Sequence, residues 1–197
     1  MVTNGTPSPL LTDDDIHTRR KLAARWLEWA CGADEGGAVA ERHPRYQTVT
    51  EGRDRPTPGY SSCGDLAHWL LYRLGVREAW VNRAEHRGWR VGVNVSRLVT
   101  NATLFSGQAL ECGDVLVIAN QWPSGTDAHV VCVLHDLVEG GKRVTCTAEY
   151  GQPGGALKTY AWDGTRLGRR RVRVVLPLET VLRKAFHRGL LVAPLEF

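Results

Sequence analysis

The sequence predicts an α+β fold in which helices pack on one side of an antiparallel sheet. Two observations carry this. Residues 1–75 hold two amphipathic stretches of helical period, and residues 113–177 hold five short apolar runs separated by Gly, Pro and Asp. Helices first and strands afterwards is the order of an α+β chain. A third observation sets the scale: 197 residues, 43% of them hydrophobic, suit one domain with its own core.

Residues 1–11 read as a flexible arm rich in Ser, Thr, Pro and Gly. Thr12 is an N-cap candidate, and Asp13, Asp14 and Asp15 occupy a first turn that favours negative charge. Ile16, Ala23, Trp26, Leu27 and Ala30 follow at helical spacing, and Gly32 is a stop, so the helix covers 13–31. Residues 32–60 are punctuated by Gly and Pro and read as a long loop.

A second helix covers 63–74, with Leu66, Leu70, Tyr72 and Leu74 as its apolar side and Gly75 at its end. Residues 76–105 are mixed. Strands follow at 113–119, 129–135, 143–150, 156–162 and 170–177, with a hairpin at Gly140-Gly141. A last helix covers about 179–188.

Composition narrows the function. Net charge is +4 and the pI is about 8.9, a mildly basic balance. The dense basic run, Arg166 to Arg173, alternates with Val172 and Val174, which places its arginines on the solvent face of a strand. Nucleic acid is therefore not the expected partner. Five cysteines without a CxxC pair argue against a zinc site or a disulfide framework. No run approaches the roughly 18 apolar residues of a membrane span, and residues 1–15 lack the pattern of a secretory signal. Synthesis in the cytoplasm without a signal peptide is the expectation. There is no P-loop, no dinucleotide fingerprint and no metal-spaced ligand set, so neither a cofactor nor a metal is expected. Seven tryptophans against three phenylalanines suit half-wet grooves as well as cores.

The candidate chemistry lies in residues 59–75 and 113–134. Cys63 falls where a glycine-containing loop turns into a helix. A thiol there feels the positive end of the helix dipole, which favours thiolate. Free N–H groups at the helix start can also bind an oxyanion. The small neighbours Ser61, Ser62 and Gly64 leave room around the sulfur. His129 opens an apolar strand after a Pro/Gly/Asp loop, from which its ring can reach a helix tip. Cysteine and histidine within hydrogen-bond reach form a nucleophile–base unit. The base needs a third polar group to orient it. Glu149 leads, because it ends the strand that folds back beside His129; Gln152 and Asp136 are alternatives.

This arrangement resembles the NlpC-like cell-wall peptidases and the related CHAP amidases, which share a reduced papain fold. The matching motifs are Cys63-Gly64-Asp65-Leu66 running to Gly75, Gly113-Asp114 opening a strand, and His129-Val130-Val131 opening the next. The likeness covers residues 59–150. Gly64 replaces the family's Ser, and residues 76–110 form an insertion within a papain-like domain spanning 12–197. By resemblance, Cys63 is the nucleophile and His129 its base; no family motif fixes the third residue, for which Glu149 stays the leading candidate, and Tyr60 or a nearby Ser such as Ser62, with Gly64 at the helix start, serves the oxyanion. Trp122 lines a substrate groove or covers the core. The resemblance implies an amidase or endopeptidase acting through a thioester on peptidoglycan peptides, with a phage lysin, a wall-remodelling enzyme or an antibacterial toxin as settings. It would then be delivered or released to the cell envelope, and a toxin would have a cognate inhibitor. The alternatives are an inactive papain-like binding module and a cysteine-dependent acyltransferase.

Other residues have plainer readings. Cys112, Cys132 and Cys146 belong to the core, and Cys63 itself has a buried structural reading. His68 points to another face of its helix. His135 shares the face of His129 at the far end of the strand, in a structural role. Asp114 turns or caps the chain into its strand.

Overall fold

A computed structural model describes residues 10–32, 39–40, 62–76, 109–119, 128–151 and 154–197. Helix α1 is Asp13–Cys31. Thr12 and Asp15 close a reciprocal capping box at its start: the Asp15 N–H donates to Thr12 Oγ1 at 3.1 Å, and the Thr12 N–H donates to Asp15 Oδ2 at 3.0 Å. Its apolar stripe, Ile16, Ala23, Trp26, Leu27 and Ala30, is buried.

Helix α2 is Ser62–Arg73, and Gly75 ends its turn at φ +90°, a backbone state that favours glycine. Helix α3 is Leu178–His187. Its N-cap position is Pro177, which supplies no capping side chain. Asp114 does so from a distant part of the chain: its Oδ1 accepts the Leu178 N–H at 2.9 Å.

The strands are β1 (Val39–Ala40), β2 (Val115–Ala119), β3 (Ala128–Glu139), β4 (Lys142–Gly151), β5 (Gly154–Ala161), β6 (Arg166–Leu167) and β7 (Arg170–Leu176). They form one sheet in the order β1-β5-β4-β3-β2-β7-β6, with every neighbouring pair antiparallel. Strands β2 to β5 follow one another as an antiparallel meander. The chain then returns, so that β7 pairs with β2 on the side away from β3. The hairpin at Gly140-Gly141 is as the sequence predicts, with both glycines at positive φ.

Two differences from the sequence reading have simple causes. Strands β3 and β4 reach past their apolar runs into the exposed hairpin, where no burial marks the sequence. Strand β1 lies within the expected loop; two residues are too few to show a period.

Two cores flank the sheet. On one face the buried sides of the three described helices join Val115, Val117, Val130, Cys132, Leu134, Cys146, Ala148 and Tyr150. On the other, Leu116, Ile118, Val131, Val133, Val172 and Val175 pack with Trp162 and Leu167. Successive side chains of β2 and β3 thus enter opposite cores, which is why both strands read as unbroken apolar runs. Trp26 and Trp69 are buried edge-to-face, with ring centroids 5.5 Å apart. These tryptophans therefore serve packing; Trp80, Trp89 and Trp122 lie outside the described residues.

Candidate active site

Cys63 is the second residue of α2, in the first turn, where a helix leaves its N–H groups without intrahelical acceptors. The helix packs chiefly on β3 and β4. Its buried face, Leu66, Ala67 and Leu70, fixes how the first turn meets the sheet. Cys63 is 4% exposed and belongs to the helix-side core.

His129 is the second residue of β3 and pairs with Ile118 of β2. Glu149 of β4 pairs with Val131. His129 is two residues before Val131, so its side chain and that of Glu149 are diagonal neighbours on one face of the sheet. The ring meets the carboxylate: His129 Nε2 lies 2.9 Å from Glu149 Oε2. His129 is also hydrogen-bonded to Cys63. Imidazole has two nitrogens, and with Nε2 on Glu149 the nitrogen left for the sulfur is Nδ1. Cysteine, histidine and glutamate therefore form one continuous chain across α2, β3 and β4.

The Glu149 side chain is 2% exposed and takes further donors. Thr147 Oγ1 donates to Oε1 at 2.9 Å, and Lys158 Nζ donates to Oε2 at 3.1 Å. The Tyr160 hydroxyl also hydrogen-bonds the carboxylate. Burial by itself would raise the Glu149 pKa, but the bonds and charges of His129 and Lys158, with the Tyr160 bond, outweigh it and hold the carboxyl near about 2. His129 is the counterpart. Burial by itself would lower its pKa, but its hydrogen bonds to Cys63 and Glu149, and their charges, raise it to about 9. Both shifts favour an ionised Glu149 beside a protonated His129.

Comparison with protein-family models, with curated proteins and with solved structures finds no match. The site stands on its own geometry.

The other cysteines are placed differently. Burial pushes the thiols of Cys31, Cys132 and Cys146 up, and that of Cys112 to about 12. None of the five cysteines is in a disulfide. Among the described residues no group of three His, Cys, Asp or Glu side chains is placed to hold a metal ion.

Of the remaining sequence candidates, Gly64 is buried in the first turn of α2 and Ser62 begins that helix. Tyr60, Trp122 and Gln152 lie outside the described residues, as does the insertion over 77–108. Asp136 belongs to a separate cluster: it accepts from Thr145 Oγ1 at 2.8 Å and pairs with Arg143 Nε at 3.1 Å. Asp114 holds the turn into its strand, as expected, and also caps the distant helix α3, which the sequence reading did not foresee. It accepts from the Glu111 and Leu178 N–H groups and from Arg20.

His135 corrects an expectation. Counting by twos places it on the face of His129, but a bulge lies between Val133 and His135. The extra residue reverses the alternation, and His135 pairs with Cys146, whose side chain faces the helix-side core. His135 is exposed, on the opposite face from His129.

Sequence reasoning missed Thr147, Lys158 and Tyr160. A signal existed for the last two. Lys158 and Tyr160 are two apart in a strand, so they share a face, and β5 lies beside the strand that carries Glu149. What the sequence lacks is the register that sets them against that carboxylate.

Proposed function

We propose that the chain is a cysteine-dependent amidase or endopeptidase of papain-like type, related to the NlpC and CHAP enzymes, with Cys63 as nucleophile, His129 as base and Glu149 as the orienting group. The observation that carries this reading is the continuous Cys63–His129–Glu149 hydrogen-bonded chain, with Nε2 on the carboxylate. Thiolate and imidazolium are the resting pair. The Cys63 sulfur attacks an amide carbonyl carbon and a C–S bond forms. The N–H groups at the start of α2 take the oxyanion. His129 gives its proton to the leaving amine nitrogen as the C–N bond breaks, which leaves a thioester. Neutral His129 then takes a proton from water, the hydroxide displaces the sulfur, and acid and thiolate return.

The substrate in this reading is the peptide of bacterial peptidoglycan, and it rests on the resemblance of the cysteine and histidine motifs. Purified peptidoglycan digested by wild type and by Cys63→Ala, with fragments read by mass, tests it. Fragments released by wild type alone are expected. Equal release by both, or none by either, sinks the wall-hydrolase assignment.

A second reading is an inactive papain-like binding module, and the 4% exposure of Cys63 favours it. Alkylation at pH 6 separates the two. Selective modification of Cys63, well below the ordinary thiol pKa of about 8.5, belongs to the enzyme. A module shows no such preference.

A further inference from the structure

We propose that Lys158 is a positioning residue of this site, a cationic counterweight that acts through Glu149 and limits how tightly His129 holds its proton. The inference rests on the hydrolase reading and concerns how that site is regulated by pH. Its basis is geometric. Lys158 Nζ and His129 Nε2 approach the same carboxylate oxygen, Oε2, at 3.1 and 2.9 Å. The other oxygen, Oε1, is taken by the buried Thr147 hydroxyl at 2.9 Å. Glu149 is therefore held in place from within the sheet by Thr147. Lys158 comes in from β5 with its side chain 47% exposed, so solvent and its environment bear on it directly.

A thiol hydrolase needs this balance. Histidine must keep a proton long enough to ionise the thiol, yet release it to the leaving amine and later take one from water. A buried carboxylate with no second cation would favour the imidazolium more strongly. Lys158 offsets part of that negative charge at the atom that His129 uses.

Among the described residues, the charged and titratable groups around the pair come from several elements. They are Cys63 on α2, Cys31 on α1, Glu149 on β4, Lys158 and Tyr160 on β5, and Arg170 on β7, which acts on Tyr160. Lys158 and His129 are the two cations set on Glu149 Oε2 among the described residues.

The test titrates the His129 ring by NMR in the full chain, with the signal assigned by its loss in His129→Gln. The rate of Cys63 alkylation by iodoacetamide is followed over the same pH range. Three proteins are compared: wild type, Lys158→Met and Lys158→Arg. In Lys158→Met the His129 midpoint and the alkaline end of the alkylation profile are expected to move up by about half a unit or more. Lys158→Arg is expected to stay with wild type. A Lys158→Met profile that superimposes on wild type overturns the inference and leaves the hydrolase reading standing. A midpoint that falls overturns it too, because Lys158 would then be only a clamp. A wild-type His129 that titrates as an ordinary histidine, with no selective alkylation, overturns both, and that failure is visible without any variant.

Discussion

His129 Nε2 sits 2.9 Å from Glu149 Oε2, although the two residues are 20 positions apart in the chain. The contact fixes the ring and turns Nδ1 toward Cys63. Glu149→Gln keeps the size of the side chain and removes its charge. His129 then loses the partner that most favours its protonated form after Cys63. The expected outcome is a His129 midpoint below the wild-type value of about 9, read by NMR. On the proposed hydrolase reading, amide hydrolysis is expected to fall on the order of 100-fold.

The same pair gives stability a pH window. The folded pKa of His129 is raised from 6.5 to about 9, so its contribution is complete below about 6.5 and is lost as pH climbs through 9. The folded pKa of Glu149 is lowered from 4.5 to about 2, so its contribution is complete above about 4.5 and is lost as pH falls toward 2. Both are in full force between about 4.5 and 6.5. Thermal melts are expected to show a wild-type Tm advantage over Glu149→Gln that is widest in that window and narrows on either side. An advantage that does not change with pH would contradict the coupling.

Thr147→Val removes the donor to Glu149 Oε1 and keeps the shape of the side chain. Oε1 then lacks its buried partner, which costs about 1–3 kcal/mol. Denaturant unfolding is the check, with a lower midpoint and an unchanged m-value expected.

The Gly113-Asp114 pair makes a contrasting case, since its role is structural. Gly113 has φ +86°, and a Cβ there would come within 2.6 Å of Leu178 Cδ2. Asp114 is 4% exposed and accepts the N–H groups of Glu111 and Leu178. Asp114→Ala leaves both donors and Arg20 without this acceptor. A loss of about 2 kcal/mol or more is expected, or a Tm drop of about 4–8 °C at this size. Thiol reactivity at Cys63 should survive at temperatures well below the new Tm.

What the sequence revealed and what it hid follow from range. The capping box at Thr12 and Asp15, the stop at Gly75 and the Gly140-Gly141 turn are local, and each is legible from neighbouring residues. The places of Cys63 at a helix start and His129 at a strand mouth were legible because each has a local signature. Glu149 needed one long-range step, the hairpin that brings β4 back along β3. The place of β7 beside β2 needed another, and no residue in either strand announces it. His135 was misplaced because a bulge changes alternation without leaving a mark such as Gly or Pro between Val133 and His135. Lys158 was hidden because its meaning lies in a cross-strand register, and the chain around it reads as an ordinary exposed strand.

The strand that carries Glu149 is tied to the end of α1 at two adjoining residues. Tyr150 donates its hydroxyl to the Ala30 carbonyl at 3.0 Å, and the Cys31 thiol reaches the Glu149 carbonyl at 3.7 Å. Gly155, opposite Tyr150 on β5, has no side chain and so leaves the ring its room. Helix α1 is thereby tied to the candidate site without contributing any of the three groups that form it. A protease that trimmed the chain past residue 31 would take away the anchor of the carboxylate's strand while cysteine, histidine and glutamate were all still present.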